Sequence, residues 1–170
     1  MNKSKYYLLS VVLFFTLFTA TSQVNAQALA DRCVGVWSGT MKMYSRGVLR
    51  DSVRIRFTVA KLHEGAWSWK TEYLSATMPM VKDYVLRVVD AAKGRYITDE
   101  GGGVELTDFQ HGDKLYSVFE TQEILLTSSY ELVGDRLIFE VTSGKKEPAK
   151  SKDITTYSVD HLQRVVLTKQ

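Results

Sequence analysis

Apolar and polar residues alternate with a period of two along most of the chain after residue 34. In residues 51–59, Val53, Ile55, Phe57 and Val59 fall on one face, and polar side chains fall on the other. This alternation is typical of antiparallel strands with one buried face and one wet face. The pattern predicts an all-β fold with about ten strands, at residues 34–44, 51–62, 66–75, 83–90, 95–99, 103–110, 114–121, 124–133, 136–142 and 154–168, the last in one or two pieces.

Glycine-containing turns separate these runs at short intervals, as at Arg46-Gly47, Gly65 and Gly134. Glycine supplies the positive φ that tight hairpins need. Strands joined in sequence by short links indicate an antiparallel up-and-down β-barrel, since closure removes both exposed edges. A β-sandwich is the alternative, although it usually needs longer crossovers. Two connections are looser: 76–82, which contains Pro79, and the lysine-rich 144–153.

The first 26 residues have the layout of a secretory signal peptide. Lys3 and Lys5 precede an apolar run from Tyr6 to Phe18, and small residues lead to Ala26. The run is too short to cross a bilayer as a helix, and no other stretch is long enough. We therefore expect cleavage after Ala26, a single domain over residues 27–170, and a protein that is secreted or periplasmic.

The charge and the cysteine content of the chain limit the kinds of function and of stabilisation that we expect. Loss of the two signal lysines lowers the formal charge from +3 to +1, which gives no basic surface for nucleic acid. Cys33 is the single cysteine, so no intramolecular disulfide can form. Stability must come from packing.

The first predicted strand opens with Gly35-Val36-Trp37, and the last contains Arg164. With ten alternating strands, these residues resemble the calycin superfamily, the lipocalins and fatty-acid-binding proteins. The resemblance implies that Trp37 plugs one end of the barrel and that Arg164 packs over it as a structural pair. The chain departs from the family because only residues 45–50 join the first two strands, leaving no room for a long first loop or a helical pair.

The pair His161-Leu162, entering the last strand, resembles the nitrobindin-like haem barrels, a helix-free calycin branch. That resemblance implies His161 as a remote candidate for haem ligation, because imidazole is a suitable axial ligand. His161 and Arg164 should face opposite sides of a strand, so His161 points inward only if Arg164 lies outside. The alternative is an ordinary polar residue at a strand start.

No catalytic constellation is apparent, and we expect no enzyme activity. The carboxylates fall on predicted solvent faces, and Cys33 has no motif partner. His63 and His111 lie beside turn glycines. Asp108 and Asp113 near His111 have spacing that is common in loops, so we predict no metal site and no cofactor.

Aromatic residues supply the remaining functional signal. Trp67, Trp69 and Tyr73 share one face of the third strand. A barrel lined by aromatics and a few hydroxyls suits a mostly apolar ligand, although the same residues would also fill a solid core. The candidate lining residues are Phe57, Trp69, Tyr73, Phe119 and Tyr130, with hydroxyls from Thr71, Ser117, Ser128 and Tyr130.

These observations favour a barrel that binds a small hydrophobic ligand of lipid or fatty-acid type in its interior. The alternative is a non-enzymatic envelope or extracellular interaction module with a packed core, which would make contacts through 76–82 and 144–153. The sequence predicts no oligomeric state.

Overall fold

A computed structural model describes residues 28–170 as a short helix followed by a barrel. The expected signal peptide and its cleavage point lie outside the described residues. Within residues 28–170, no helix is long and apolar enough to cross a membrane. The elements are α1 Leu29–Cys33, β1 Gly35–Ser45, β2 Val48–His63, β3 Ala66–Tyr73, β4 Met80–Asp90, β5 Arg95–Gly101, β6 Val104–His111, β7 Lys114–Thr121, β8 Ile124–Val133, β9 Arg136–Lys145, β10 Ala149–Ser151, β11 Ile154–Thr156 and β12 His161–Lys169.

Ten antiparallel strands close into one barrel in the order β1-β12-β9-β8-β7-β6-β5-β4-β3-β2. Each strand pairs with its neighbour in sequence, and β12 closes the barrel between β9 and β1. The predicted up-and-down barrel is confirmed, and the sandwich alternative is wrong. Closure gives every edge a partner, so β1 and β12 present no free edge.

Several predicted boundaries are corrected by the structure. The predicted strand over 154–168 lies in two pieces, as one of the two alternatives allowed, but only β12 belongs to the barrel, whereas β11 pairs with β10 in a small hairpin outside it. The predicted loop 76–82 is shorter than expected, since β4 starts at Met80. The predicted loop 144–153 contains the end of β9 and all of β10. Lysine-rich composition concealed these short strands.

One end of the barrel is plugged by α1, which the alternation pattern did not predict. Leu29, Ala30 and Cys33 are fully buried against the core. Two indole groups hold the helix: Nε1 of Trp37 donates to the Cys33 carbonyl at 2.7 Å, and Nε1 of Trp67 donates to Asp31 Oδ1 at 2.8 Å. Burial raises the pKa of the Cys33 thiol to about 12, so the thiol stays protonated.

The expected pair of Trp37 with Arg164 is wrong. Arg164 lies on the outer face, where its Nη1 donates to Glu140 Oε2 at 2.7 Å. The cation over the Trp37 ring is Lys169, with Nζ 5.3 Å from the ring centroid. The pairing register places Trp37 opposite Lys169, five positions beyond Arg164, which accounts for the difference.

Candidate functional site

A cavity of about 780 Å³ occupies the half of the barrel away from α1. All ten barrel strands contribute to its wall, and the loop between β3 and β4 lies at its mouth. The half next to α1 is filled instead by Trp37, Val59, Trp67 and Leu137. The barrel is therefore a packed core at one end and an open container at the other.

Four of the five predicted lining residues reach this cavity. Trp69, Tyr73, Phe119 and Tyr130 line it directly. Phe57 does not; it lies behind the wall, with its ring centroid 5.0 Å from that of Trp69 and 5.3 Å from that of Tyr130. The alternation pattern therefore identified residues that face the barrel interior. It did not predict how far along the barrel axis each of them lies.

The floor of the cavity is aromatic. Tyr130 and Phe139 stack with centroids 4.4 Å apart, and Trp69 meets Tyr130 edge-on at 5.0 Å. Such contacts fix ring positions beyond what apolar burial alone achieves. The floor therefore has a defined shape before any ligand enters.

A buried carboxyl lies in the wall beside this floor. Asp108 is only 4% exposed, and Thr98 Oγ1 donates to its Oδ2 at 2.8 Å. Burial raises the pKa of Asp108 to about 6, and the hydrogen bond from Thr98 partly opposes this shift. At neutral pH the carboxyl is still mostly ionised.

The indole of Trp69 lies beside the hydroxyl of Tyr130, and their interaction partly offsets the rise in the pKa of Tyr130 that burial causes. The side chain of Trp69 is 1% exposed. Nearby hydroxyls belong to the buried Thr71 and to Tyr130, whose pKa is raised well above its usual range by burial.

The mouth of the cavity is polar and charged. Lys82 Nζ lies 5.7 Å from the Tyr84 ring centroid, and a hydrogen bond with Tyr84 raises the pKa of Lys82. Glu100 lies on the same rim. The loop outside it carries Met78, which is 78% exposed.

The histidines lie away from this cavity. His161 starts β12 and is exposed; although Arg164 does face outward, His161 is not among the side chains that line the cavity. His111 packs against Phe109 and Tyr116. Within residues 28–170, no cluster of three or more His, Cys, Asp or Glu side chains could hold a metal ion.

Sequence reasoning missed Asp108 as an interior residue. The prediction that the carboxylates lie on solvent faces is wrong for this residue, because Leu106 and Asp108 both face the cavity. The signal was present in the sequence, since Phe109 takes the outward position and forces Asp108 inward by alternation. Ser117 was predicted as a lining hydroxyl, but its Oγ donates to the Thr107 carbonyl at 2.9 Å and does not line the cavity.

Comparison with solved structures identifies the architecture. The chain is similar to Rv2717c from M. tuberculosis, with a TM-score of 0.53 and 16% identity over 85% of this chain and 98% of that one. It is also similar to the S-type phycobiliprotein lyase CPES from Guillardia theta, with a TM-score of 0.58 and 6% identity over 83% and 90%. The chain has a calycin-like fold.

A third similar structure is a protein of the DUF3598 family from Nostoc punctiforme, with a TM-score of 0.57 and 11% identity. The match covers 83% of this chain and 49% of that one. No protein-family model matches the sequence, and no curated protein matches it. The similarity to these structures is therefore one of fold. It lies in the strand order and the closed barrel, and not in shared residues.

Proposed function

We propose that this protein binds a small, largely apolar molecule inside its barrel. The observation that carries the proposal is the open cavity of about 780 Å³ beside a fully packed opposite end. Volumes of roughly 300–1,000 Å³ are typical of sites for small molecules. We also propose that the protein acts in the periplasm or outside the cell, on the basis of its first 26 residues.

Binding would draw its free energy from the apolar wall. Each Å² of apolar surface removed from water contributes about 25 cal/mol, before the cost of immobilising the ligand. The aromatic floor of Trp69, Tyr130 and Phe139 is already fixed by its own contacts, which keeps the cost of ordering the protein low. The proposal includes no chemical step and no catalytic residue.

A fluorescent apolar probe, N-phenyl-1-naphthylamine, tests this function. This arylamine is uncharged at neutral pH, and its emission increases when it leaves water. We expect saturable binding by the purified protein. Val141→Trp, which places a large side chain in the cavity, should weaken binding at least tenfold, because Val141 lies on the cavity wall.

The matched control is Val118→Trp, because Val118 is exposed on the outside of β7. This variant should bind the probe as the wild type does. Thermal unfolding of both variants checks that they fold. Absence of saturable binding up to the solubility limit of the probe, or equal binding by the two variants, would overturn the proposed function and favour a barrel that works through its surface.

A further inference from the structure

Asp108 is an ionisable group in the cavity wall that has no counter-charge among the described residues. Its side chain receives a hydrogen bond from Thr98, and no Lys, Arg or His side chain within residues 28–170 forms an ion pair with it. The hydroxyl of Ser117, directly across the ladder on β7, is directed to a backbone carbonyl instead. Buried charges in proteins are normally paired, so this carboxylate is incomplete as it stands.

The groups that face Asp108 do not supply the missing charge. On β5, Tyr96 lies opposite it in register but donates its hydroxyl to Gln110 Oε1 at 2.9 Å. Glu100, further along β5, is itself acidic. From β7 the facing groups are Ser117 and Phe119, which carry no charge. Across the cavity, Tyr130 is a neutral phenol whose pKa is raised by burial.

The cavity's cationic groups lie at its mouth. Lys82, on β4, interacts with Tyr84 there, and Arg54, within β2, is exposed to solvent. Neither forms a hydrogen bond or an ion pair with Asp108, whose side-chain hydrogen bond comes from Thr98. A ligand that carries a positive charge would therefore complete this site, which lacks a cation among the described residues.

Aromatic rings surround the same space. They are Trp69, Tyr73, Tyr84, Phe119, Tyr130 and Phe139, all of which line the cavity. The faces of aromatic rings attract cations, and this attraction is strongest when the cation is removed from water. A carboxylate within a wall of aromatic residues is complementary to an organic cation in both charge and shape.

We propose that the cavity selects an apolar or aromatic amine, whose protonated nitrogen pairs with Asp108 while its apolar body packs against Trp69, Tyr130 and Phe139. This inference rests on the proposed function, since it names the ligand class of that cavity. It also replaces the fatty-acid type expected from the sequence, because a ligand carboxylate placed beside Asp108 would be repelled.

Three ligands with the same aromatic body test the inference. They are 1-naphthylmethylamine, which is protonated at pH 7.5, the neutral 1-naphthylmethanol, and the anionic 1-naphthoate. Isothermal titration calorimetry at pH 7.5 compares their affinities. We expect the amine to bind about tenfold or more tightly than the alcohol, a ratio typical of a partly desolvated charge pair, and the naphthoate to bind most weakly.

Asp108→Asn separates charge from shape. In this variant the affinity for the amine should fall to about that of the alcohol, while affinity for the alcohol should change less than about twofold. The matched control is Asp83→Asn, which removes a carboxylate from the outer face of β4, away from the cavity. This control should leave the preference for the amine unchanged.

The pH dependence provides a second readout. Because Asp108 must be ionised to pair with the amine, and its pKa is about 6, affinity for the amine should fall about tenfold from pH 7 to pH 5. Affinity for the alcohol should stay constant over that range. The amine itself remains protonated throughout.

The outcomes distinguish this inference from the proposed function. If N-phenyl-1-naphthylamine shows no saturable binding, the proposed function is overturned, and the amine selection falls with it. If the neutral ligands bind but the naphthoate equals or exceeds the amine, the amine selection is overturned and the container function stands. An unchanged preference for the amine in Asp108→Asn would likewise overturn the role of Asp108.

Discussion

Asp108 is a buried carboxyl that accepts a hydrogen bond from Thr98. A carboxyl whose pKa in the folded protein, about 6, lies above its ordinary value of 3.8 binds its proton more tightly when folded than when unfolded. Its contribution to stability is therefore fully present below about pH 4 and is lost as the pH rises through 6. The shift corresponds to about 3 kcal/mol of lost stability at neutral pH.

The first prediction concerns this lost stability. Asp108→Asn should raise the free energy of unfolding at pH 7 by about 1–3 kcal/mol, because it removes a buried charge without a counter-ion. The gain should disappear near pH 4, where Asp108 is protonated. Urea denaturation at pH 4, 5, 6 and 7 measures both effects.

The control for this prediction is Asp83→Asn, since Asp83 is exposed on the outer face of β4. Its stability difference from the wild type should be under about 0.5 kcal/mol and should not change between pH 5 and 7. A loss of stability in Asp108→Asn at pH 7 would contradict the account of a destabilising buried charge.

Local alternation along β6 accounts for the inward position of Asp108. It does not predict which cation lies over the ring of Trp37. Arg164 and Lys169 both lie on β12, and sequence pattern alone favoured Arg164. The choice of Lys169 depends on how β12 is staggered against β1. Stagger is a property of the closed barrel, so no window of the sequence contains it.

At the scale of elements, α1 differs from the strands because its stability is entirely tertiary. Five residues are too few for an isolated helix to persist in water, and α1 has no side-chain N-cap. Burial of Leu29 and the hydrogen bonds from Trp37 and Trp67 hold it in place. Its short length also explains why no helical periodicity predicted it.

The second prediction tests this plug through Cys33. In the wild type, the buried thiol, with its pKa of about 12, should react with Ellman's reagent only as slowly as the protein opens. Leu29→Asp should undock α1, because an unpaired carboxylate cannot remain in the core. We expect the thiol reaction under native conditions to accelerate at least tenfold.

Leu49→Asp is the matched control, because Leu49 is half-exposed near the start of β2. The thiol of this variant should react at the wild-type rate. Rapid reaction of Cys33 in the wild type would contradict a docked α1.

At the scale of the whole molecule, closure depends on a close approach between β1 and β12. A Cβ atom on Gly39 would lie 2.5 Å from the Val166 carbonyl oxygen and 2.8 Å from Val165 Cγ2. Both distances are shorter than side chains tolerate. Glycine at this position therefore allows the first and last barrel strands to meet.

The third prediction is that Gly39→Val destabilises the barrel by about 1–3 kcal/mol, the usual cost of overpacking. Thr40→Val, at the next position but facing solvent, should change the free energy of unfolding by less than about 0.5 kcal/mol. Urea denaturation of both variants measures the difference. Equal stabilities would contradict a close contact at the closure seam.

The sequence by itself determined the ten barrel strands, apart from some of their bounds, and their up-and-down order. Alternation along β2 and β3 was sufficient to place Phe57, Trp69 and Tyr73 in the interior, because a strand's facing pattern depends only on adjacent residues. Glycine-containing turns likewise predicted the hairpins, because a tight turn depends only on the residues within it.

Only the tertiary structure decided which interior residues surround empty space. Ser38 and Thr168 are paired across the closure although 130 positions separate them. That stagger, together with α1 filling one end, divides the barrel into a packed half and an open half. Depth along the barrel axis is set by contacts between distant strands, and for this reason Phe57 lies behind the wall whereas Asp108 faces the cavity.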